Sequence, residues 1–253
     1  MKRESVAKSI ASWAANKLGC ELVPFWRAER HELAKHLREV FKRFDVDMVI
    51  DVGANRGQYR DFLRMEVNYE GPIQSFEPIE RLHKLLVERS AREANWDVHP
   101  NALGGADTEV DFNVMQDDQF SSVLAPKTQG LDQYAEMNSV HHKQRVQMRR
   151  LDAVAEESAA LRNAKRIYLK LDTQGFDLEV FKGAGLTLAR AVALQSEVSV
   201  LPLYEGMPDY KTSIATFNDA GFDVSGLFPV ARDRALRIVE FDCVTVNRRL
   251  AGM

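Results

Sequence analysis

The chain has 253 residues, with 34 lysines and arginines against 37 aspartates and glutamates, which gives a formal net charge of −3 at pH 7. Hydrophobic residues make up 45% and charged residues 28%, a balance that excludes an intrinsically disordered chain, collagen and a disulfide-stapled scaffold. The slightly acidic balance also argues against general affinity for nucleic acid, which requires a basic surface.

Membrane and export signals are absent from the pattern. Every window of ten residues contains a charged side chain, whereas a transmembrane segment requires about 20 mostly apolar residues. The first twenty residues carry charges at Lys8 and Lys17 and lack the apolar core of a signal peptide. Cys20 and Cys243 have no metal-like spacing and are expected to be free thiols. The sequence therefore predicts a cytoplasmic protein.

Residues 1–45 differ from the rest of the chain in their charge. They hold ten Lys and Arg against six Asp and Glu, so this segment is net basic and the remainder is net acidic. Leu33, Leu37 and Val40 recur at helical spacing, which predicts an amphipathic helix over about 28–44.

A shorter helix is predicted before it, around Val6, Ile10 and Trp13. We expect residues 1–45 to form a helical extension that packs on a main domain over 46–253. Two alternatives are open for this basic segment. One is peripheral contact with an anionic membrane surface, and the other is closure of a substrate site.

From residue 47 onward, short apolar runs alternate with helical patterns. The apolar runs predict strands over 48–51, 73–77, 96–99, 167–172 and 191–198, and a final pair over 224–228 and 238–246. Helices are predicted between them, over 57–64, 79–89, 151–161, 178–183 and 210–220. Two further strands, over 110–114 and 145–148, flank a long connection.

The alternation of strands and helices predicts a mainly parallel sheet that is covered on both faces. Only about nine residues separate the last two strands, whereas a parallel crossover requires about a dozen or more. These two strands are therefore expected to be antiparallel. The predicted fold class is α/β, with a seven-stranded, mainly parallel sheet that contains one antiparallel strand.

The junction after the first strand reads Asp51-Val-Gly-Ala-Asn-Arg-Gly57. Gly53 permits a tight turn and a close approach of a ligand to the backbone, and Gly57 allows the next helix to pack near the strand. Glu77 ends the following strand, where a carboxylate can accept hydrogen bonds from both hydroxyls of a ribose. Together these residues predict a nucleotide-type site.

Two classes of nucleotide share this layout. Dinucleotide sites use G-x-G-x-x-G, whose close glycines admit a pyrophosphate. Here three residues separate Gly53 from Gly57, and the carboxylate of Asp51 would repel a pyrophosphate. The acid suits a ligand with a positive centre and an amino group, such as S-adenosylmethionine. An NAD-linked oxidoreductase is therefore disfavoured.

Several segments, taken in order, resemble the FkbM family of S-adenosylmethionine-dependent methyltransferases. They are 49–57, 75–78, 101–104, 121–122, 151–152, 169–175, 178–184 and Glu197. Their order and number make the match specific. The resemblance implies a Rossmann-like class I methyltransferase fold, of which a reversed strand near the end of the sheet is typical, and methyl transfer to oxygen.

The resemblance also implies roles in cofactor binding. The methionine part of the cofactor is expected to be surrounded by Asp51, Gly53, Asn55 and Gly57. Glu77 is expected to hold the ribose, and Asn101 to lie near the adenine. Gln174 departs from the family pattern, because many members have glutamate there. This departure disfavours Gln174 as an acid or base and leaves Asp172 intact.

The catalytic candidates are Asp172, Glu197 and Lys170. Asp172 ends the fourth strand, at the edge of the sheet where open α/β sheets bind ligands, and is the leading base. The positive N-terminal end of the helix that follows lowers the basicity of Asp172. Two alternatives to the role of base are therefore open, in which Asp172 orients the acceptor hydroxyl or anchors a loop. Glu197 is the second base. Lys170 lies in an apolar strand and requires a partner such as Glu197, in a pair that is structural or shapes the acceptor pocket.

Two segments are expected to form the acceptor site. The connection 116–143 is long, which is uncommon unless functional, and contains Ser121 and Ser122. The segment 202–210 contains Tyr204, which either stacks on a sugar ring or covers the edge of the sheet. No H-x-x-x-H pattern or cysteine cluster occurs, so no metal is predicted.

The leading interpretation is an O-methyltransferase that acts on a hydroxyl of a sugar in a glycolipid, polysaccharide or glycosylated metabolite. One alternative is methylation of a polyketide or other non-sugar metabolite, and another is a non-catalytic cofactor-binding subunit of a partner. The expected partner is a small-molecule or glycan acceptor, and a homodimer is left open. The acidic balance disfavours RNA as the acceptor.

Overall fold

The computed structural model describes residues 13, 15, 17–20, 22–127, 136 and 138–252. Of the short helix predicted around Val6, Ile10 and Trp13, Val6 and Ile10 lie outside the described residues, and Trp13 is helical. Within them the chain forms ten strands, which are β1 (Met48–Val52), β2 (Ile73–Phe76), β3 (Trp96–His99), β4 (Ala102–Leu103), β5 (Thr108–Met115), β6 (Val140–Arg149), β7 (Ile167–Leu171), β8 (Ala191–Ser199), β9 (Phe222–Arg232) and β10 (Ile238–Asn247).

Seven of these strands form one sheet in the order β3-β2-β1-β7-β8-β10-β9. The pairs from β3 through to β8 are parallel, whereas β10 runs antiparallel to both β8 and β9. The predicted α/β fold with one antiparallel strand is therefore confirmed. The short connection between β9 and β10 produces the reversal, because it leaves no room for a crossover helix.

Among the described residues, one helix of 14 residues precedes β1, and the other α-helices lie between successive strands. These helices are α1 (His31–Phe44), α2 (Gln58–Phe62, continuing as a π-helical turn over Leu63–Val67), α3 (Glu80–Ser90), α4 (Leu151–Glu157), α5 (Ala159–Asn163), α6 (Asp177–Lys182) and α7 (Tyr210–Asp219). None of the helices in this part of the chain is long and apolar enough to cross a bilayer.

One helix predicted over 151–161 is two helices in the structure. Ser158 between them has an extended backbone, with φ −90° and ψ 119°, and its side chain accepts a hydrogen bond from the N–H of Leu161. Serine competes for backbone hydrogen bonds in this way and begins helices more readily than it continues them. The sequence pattern shows the apolar spacing but not this interruption.

Alternating residues of β1 and β7 serve the two faces of the sheet. On one face, Ile50 of β1 and Leu169 of β7 join the core beneath α4 to α7. On the other face, Tyr168 packs against Phe41 of α1, with ring centroids 4.7 Å apart. Helix α1 therefore shares a core with the sheet, and its amphipathic pattern reflects that burial. The domain division at residue 45 stays a prediction.

A smaller sheet, in the order β4-β6-β5, lies beside the carboxyl end of β3. Strands β5 and β6, which contain the two strands predicted to flank the long connection, pair with each other in antiparallel orientation. In the described start of that connection, residues 116–127, Ser122 bridges back to Asn113 of β5 and Pro126 bridges to Tyr204 in the segment after β8.

Candidate active site

A cavity of about 220 Å³ opens at the carboxyl ends of the central strands. It lies where the strand order reverses between β1 and β7, which is the position at which open α/β sheets bind ligands. Most of the residues predicted for the site line it, namely Gly53, Asn55, Glu77, Asn101, Ser121, Lys170, Asp172 and Glu197.

The loop after β1 requires glycine at position 53. Gly53 has φ +82°, a conformation that other residues rarely adopt. A Cβ there would overlap the backbone carbonyl of Asp172, which follows β7. The close approach predicted for Gly53 is therefore to the backbone of a neighbouring strand, in addition to the cavity that it lines.

Glu77 lies just beyond β2 with its carboxylate held by the backbone. Its Oε2 accepts a hydrogen bond from the N–H of Asn55 at 2.8 Å, and its Oε1 accepts one from the N–H of Ile79 at 2.8 Å. Burial raises the pKa of Glu77 to about 7, although these two hydrogen bonds lower it in part. The carboxylate thus faces the cavity in a fixed orientation.

Asp51 and Gly57 are not among the residues that line the cavity. Asp51 is fully buried behind it, where Oδ1 lies 3.2 Å from Lys170 Nζ and Oδ2 accepts a hydrogen bond from Ser75. A Cβ at Gly57 would press against Leu86, so this glycine serves helix packing. Both residues lie behind the cavity wall, and their place around the methionine part of the cofactor stays a prediction.

Lys170 lies directly across from Asp51 in the β1–β7 pair. Its Nζ is 3.2 Å from Asp51 Oδ1 and 3.1 Å from Asp172 Oδ2. Burial lowers the pKa of Lys170, but these carboxylates more than offset it, so the pKa lies above its ordinary value. The ion pair suggested with Glu197 does not form, because the β8 residue in register with Lys170 is Gln195.

Asp172 and Glu197 are joined by Gln174. The side-chain Nε2 of Gln174 donates to Asp172 Oδ1 at 3.0 Å and to Glu197 Oε2 at 3.1 Å. Burial raises the pKa of Glu197 well above its ordinary value, and the neighbouring charge of Asp172 raises it further. Sequence reasoning set Gln174 aside as an acid or base and missed this contact.

Two residues predicted to bind the acceptor, Ser122 and Tyr204, instead contact backbone carbonyl groups of the protein itself. The hydroxyl of Ser122 is buried and lies 2.9 Å from the carbonyl of Gln174. Tyr204 is fully buried, and its hydroxyl lies 2.8 Å from the carbonyl of Phe120. Its ring therefore has no free face for a sugar, which corrects the stacking role and leaves the covering role. Ser121, by contrast, lines the cavity.

The rim of the cavity holds residues that sequence reasoning missed. Asp118 is buried on a short 3-10 turn, and its carboxylate accepts hydrogen bonds from Arg56 and Arg81. These contacts fasten the connection after β5 to the loop after β1 and to α3. Arg30 and Asp242 also line the cavity. No motif marks them, because they come from opposite ends of the chain.

Across the part of the chain that the structure describes, no group of three or more His, Cys, Asp or Glu side chains is arranged to hold a metal ion.

The fold of this chain is similar to that of several solved structures, and three of them are named as methyltransferases. The FkbM methyltransferase from Methylobacillus flagellatus KT is 15% identical, with a TM-score of 0.48 over 80% of this chain and 44% of that chain. A SAM-dependent methyltransferase from Aquifex aeolicus is 13% identical, with a TM-score of 0.41 over 88% and 94%. Magnesium protoporphyrin IX methyltransferase from Synechocystis PCC 6803 is 8% identical, with a TM-score of 0.42 over 89% and 85%.

At these identities the likeness concerns the fold alone. This chain spans less than half the length of the Methylobacillus protein. No curated protein matches the chain in sequence.

The family comparison is more specific. A family model described as the methyltransferase FkbM domain matches residues 51–224. The matched segment runs from the end of β1 into β9, covers more than half of the chain and contains Glu77, Asp172 and Glu197. The chain therefore belongs to the FkbM methyltransferase family.

Proposed function

We propose that this protein transfers a methyl group from S-adenosylmethionine, the methyl donor of its family, to a sugar hydroxyl. The sugar belongs to a glycolipid, a polysaccharide or a glycosylated metabolite. The observation that carries the proposal is the pair of carboxylates, Asp172 and Glu197, on the wall of the cavity. A hydroxyl must lose its proton when its oxygen is methylated, so such an acceptor requires a base.

The residues around the cavity fit S-adenosylmethionine. Both carboxylate oxygens of Glu77 accept one backbone hydrogen bond and retain a lone pair for a ribose hydroxyl. Phe76 and Leu103 supply an apolar wall for the adenine, with the amide of Asn101 beside them. When bound, this cofactor supplies a methyl group on a positively charged sulfur, a charge that suits the acids of the cavity.

In the proposed transfer, Asp172 orients the acceptor hydroxyl and Glu197 receives its proton. The ion pair with Lys170 holds the carboxylate of Asp172 in a fixed position on the cavity wall. Burial and the charge of Asp172 raise the pKa of Glu197, so its carboxylate takes up a proton more readily than that of an ordinary glutamate. The O–H bond breaks, its proton passes to Glu197, and the oxygen keeps the electron pair that accepts the methyl group.

Polar side chains on the cavity wall support a sugar as the acceptor. Asp242, Gln119 and Arg30 border the cavity in addition to the carboxylate pair. Carboxylates accept hydrogen bonds, guanidinium groups donate them, and amides do both, which matches a ring that carries several hydroxyls. A largely apolar polyketide would form fewer hydrogen bonds with these groups than a sugar, at a cost in binding free energy.

The cofactor is tested by calorimetric titration with S-adenosylhomocysteine and, separately, with NAD. We expect binding of S-adenosylhomocysteine and no binding of NAD. Binding of NAD alone would overturn the proposal.

The acceptor is tested with S-adenosylmethionine that carries a ¹³C-labelled methyl group and with panels of glycans, polyketides and RNA. We expect a methyl ether on a glycan in the product NMR spectrum. The variant Glu197→Gln should lower the rate about 10²- to 10⁴-fold, and the exposed control Glu88→Gln, which lies away from the cavity, should not. Methylation of nitrogen or carbon, or of polyketides alone, would contradict the proposal.

A further inference from the structure

Gln174 lies between the two carboxylates of the proposed acceptor site. Its Nε2 is 3.0 Å from Asp172 Oδ1 and 3.1 Å from Glu197 Oε2. At the other end of the same amide, Oε1 is 3.1 Å from the hydroxyl of Tyr204. A single side chain therefore contacts both acids and a buried tyrosine.

These contacts determine which end of the amide faces the acids. An ionised carboxylate only accepts hydrogen bonds, and an NH₂ group donates two. Nε2 of Gln174 can therefore give one hydrogen to Asp172 and one to Glu197, while Oε1 faces the hydroxyl of Tyr204. A glutamate at this position would present oxygens alone and would repel both acids until one carboxyl group took up a proton.

The backbone also presents this side chain in a fixed direction. Gln174 has φ +52°, in the left-handed region that residues other than glycine rarely occupy. Its carbonyl lies 2.9 Å from the hydroxyl of Ser122, so the turn after β7 is held by the connection after β5. Such a conformation persists only where the surroundings hold it, and it is typical of functional sites.

Charged and titratable groups surround the pair of acids on all sides. They are Asp51 of β1, Lys170 of β7, Asp177 of α6, Tyr204 in the segment after β8, and Glu240 and Asp242 of β10. Burial raises the pKa of Glu197 most, Asp172 and the two β10 acids raise it further, and Lys170 lowers it. Hydrogen bonds from Gln174 act in the same direction as Lys170, because they stabilise the charged forms.

We infer that Gln174 is a positioning residue that holds Asp172 and Glu197 together as a charged pair, so that Glu197 is free to take up the proton of the acceptor hydroxyl. The inference rests on the proposed function, in which this pair is the base. It makes the residue that departs from the family pattern a part of the acceptor site.

The test is a pH titration of the side-chain carboxyl groups by ¹³C NMR, with S-adenosylhomocysteine bound. Glu197→Gln assigns the Glu197 signal. In Gln174→Met, which keeps the volume but has no donor, we expect the midpoint of Glu197 to rise by about one pH unit or more, and in Gln174→Glu to rise further. The control Gln119→Met changes another cavity glutamine and should leave the midpoint unchanged.

An unchanged midpoint in folded Gln174→Met and Gln174→Glu would overturn the inference. If those variants do not fold, Tyr204→Phe serves in their place, since it keeps the amide but removes the hydroxyl at its oxygen. We expect a smaller rise there, and an unchanged midpoint would again overturn the inference. The NMR titration does not depend on catalytic turnover. If the protein fails to methylate glycans, the proposed function is overturned, but the effect of Gln174 on the titration of Glu197 can still be measured.

Discussion

The carbonyl oxygen of Asp172 occupies the space that a side chain at Gly53 would need. The two chain segments meet because β1 and β7 are parallel neighbours that end at the same level, where the N–H of Asp172 donates to the carbonyl of Val52 at 3.1 Å. The loop assigned to the cofactor and the residue assigned to the acceptor are therefore in direct contact. A change on one side must displace the other.

Replacing Gly53 with alanine should destabilise the fold and displace Asp172. The new methyl group overlaps a backbone carbonyl, and φ +82° is strained for alanine. We expect the free energy of unfolding to fall by at least about 2 kcal/mol in urea denaturation. Gly206→Ala is the matched control, because Gly206 has φ +74° with open space around it, so only the backbone strain of about 1 kcal/mol applies. Equal losses in the two variants would contradict the contact.

Glu77→Gln should weaken the binding of S-adenosylhomocysteine about tenfold or more, because an amide has one acceptor oxygen in place of two. The wild-type affinity should also rise with pH, since the pKa of Glu77 is raised to about 7 and only the ionised form accepts at both oxygens. Calorimetry between pH 6 and pH 8 measures this dependence. A Glu77→Gln variant with the same pH dependence as the wild type would remove Glu77 from the site, and Glu80→Gln, on the exposed start of α3, is the control.

The stability of the protein should decrease as the pH rises from about 5 to 8. Burial, and then Asp172, raises the pKa of Glu240 to about 7 from an ordinary value of 4.5. Between these values the folded state binds more protons than the unfolded state, so the free energy of unfolding falls with pH, by at most about 1.4 kcal/mol per pH unit for one group. Urea denaturation of Glu240→Gln should show a shallower decrease. A slope identical to the wild type would refute the assignment.

Leu37→Ala should destabilise the whole protein by about 2 to 5 kcal/mol. Leu37 is fully buried on α1, in the core that this helix shares with β1 and β7. Thermal or urea unfolding should remain a single transition, because the helix and the sheet lose the same packing. Leu18→Ala changes an exposed leucine and should have little effect. A variant that unfolds α1 alone would show instead that residues 1–45 form a separate unit.

Much of the fold follows from local patterns. Strand and helix periodicity, with one connection too short for a crossover, predicts the sheet and its reversed strand. Glu77 and Asp172 were predictable because polar residues that end parallel strands gather at one edge of the sheet. The pairing of Lys170 was not, since strand register decides between Glu197 and Asp51.

The burial of Tyr204 and the contacts of Gln174 depend on where distant segments meet. The segment after β8, the turn after β7 and the connection after β5 converge there, although they are far apart in sequence. The spacing of residues within one segment does not predict contacts between segments that are distant in sequence. The sequence marks Gln174 only by its departure from the family pattern, in which many members have glutamate at this position.

The position of β10 has a consequence for how the protein is made. Strand β8 carries Glu197, and its outer neighbour is β10, whose Asp242 lies directly across from Glu197. Strand β9 precedes β10 in the chain but lies outside it, so it has no partner in the sheet until residues 238–247 have left the ribosome. The outer edge of β8, beside Glu197, is therefore covered only after β10 has been synthesised, and a nascent chain that stalls before β10 exposes β8 as an open edge.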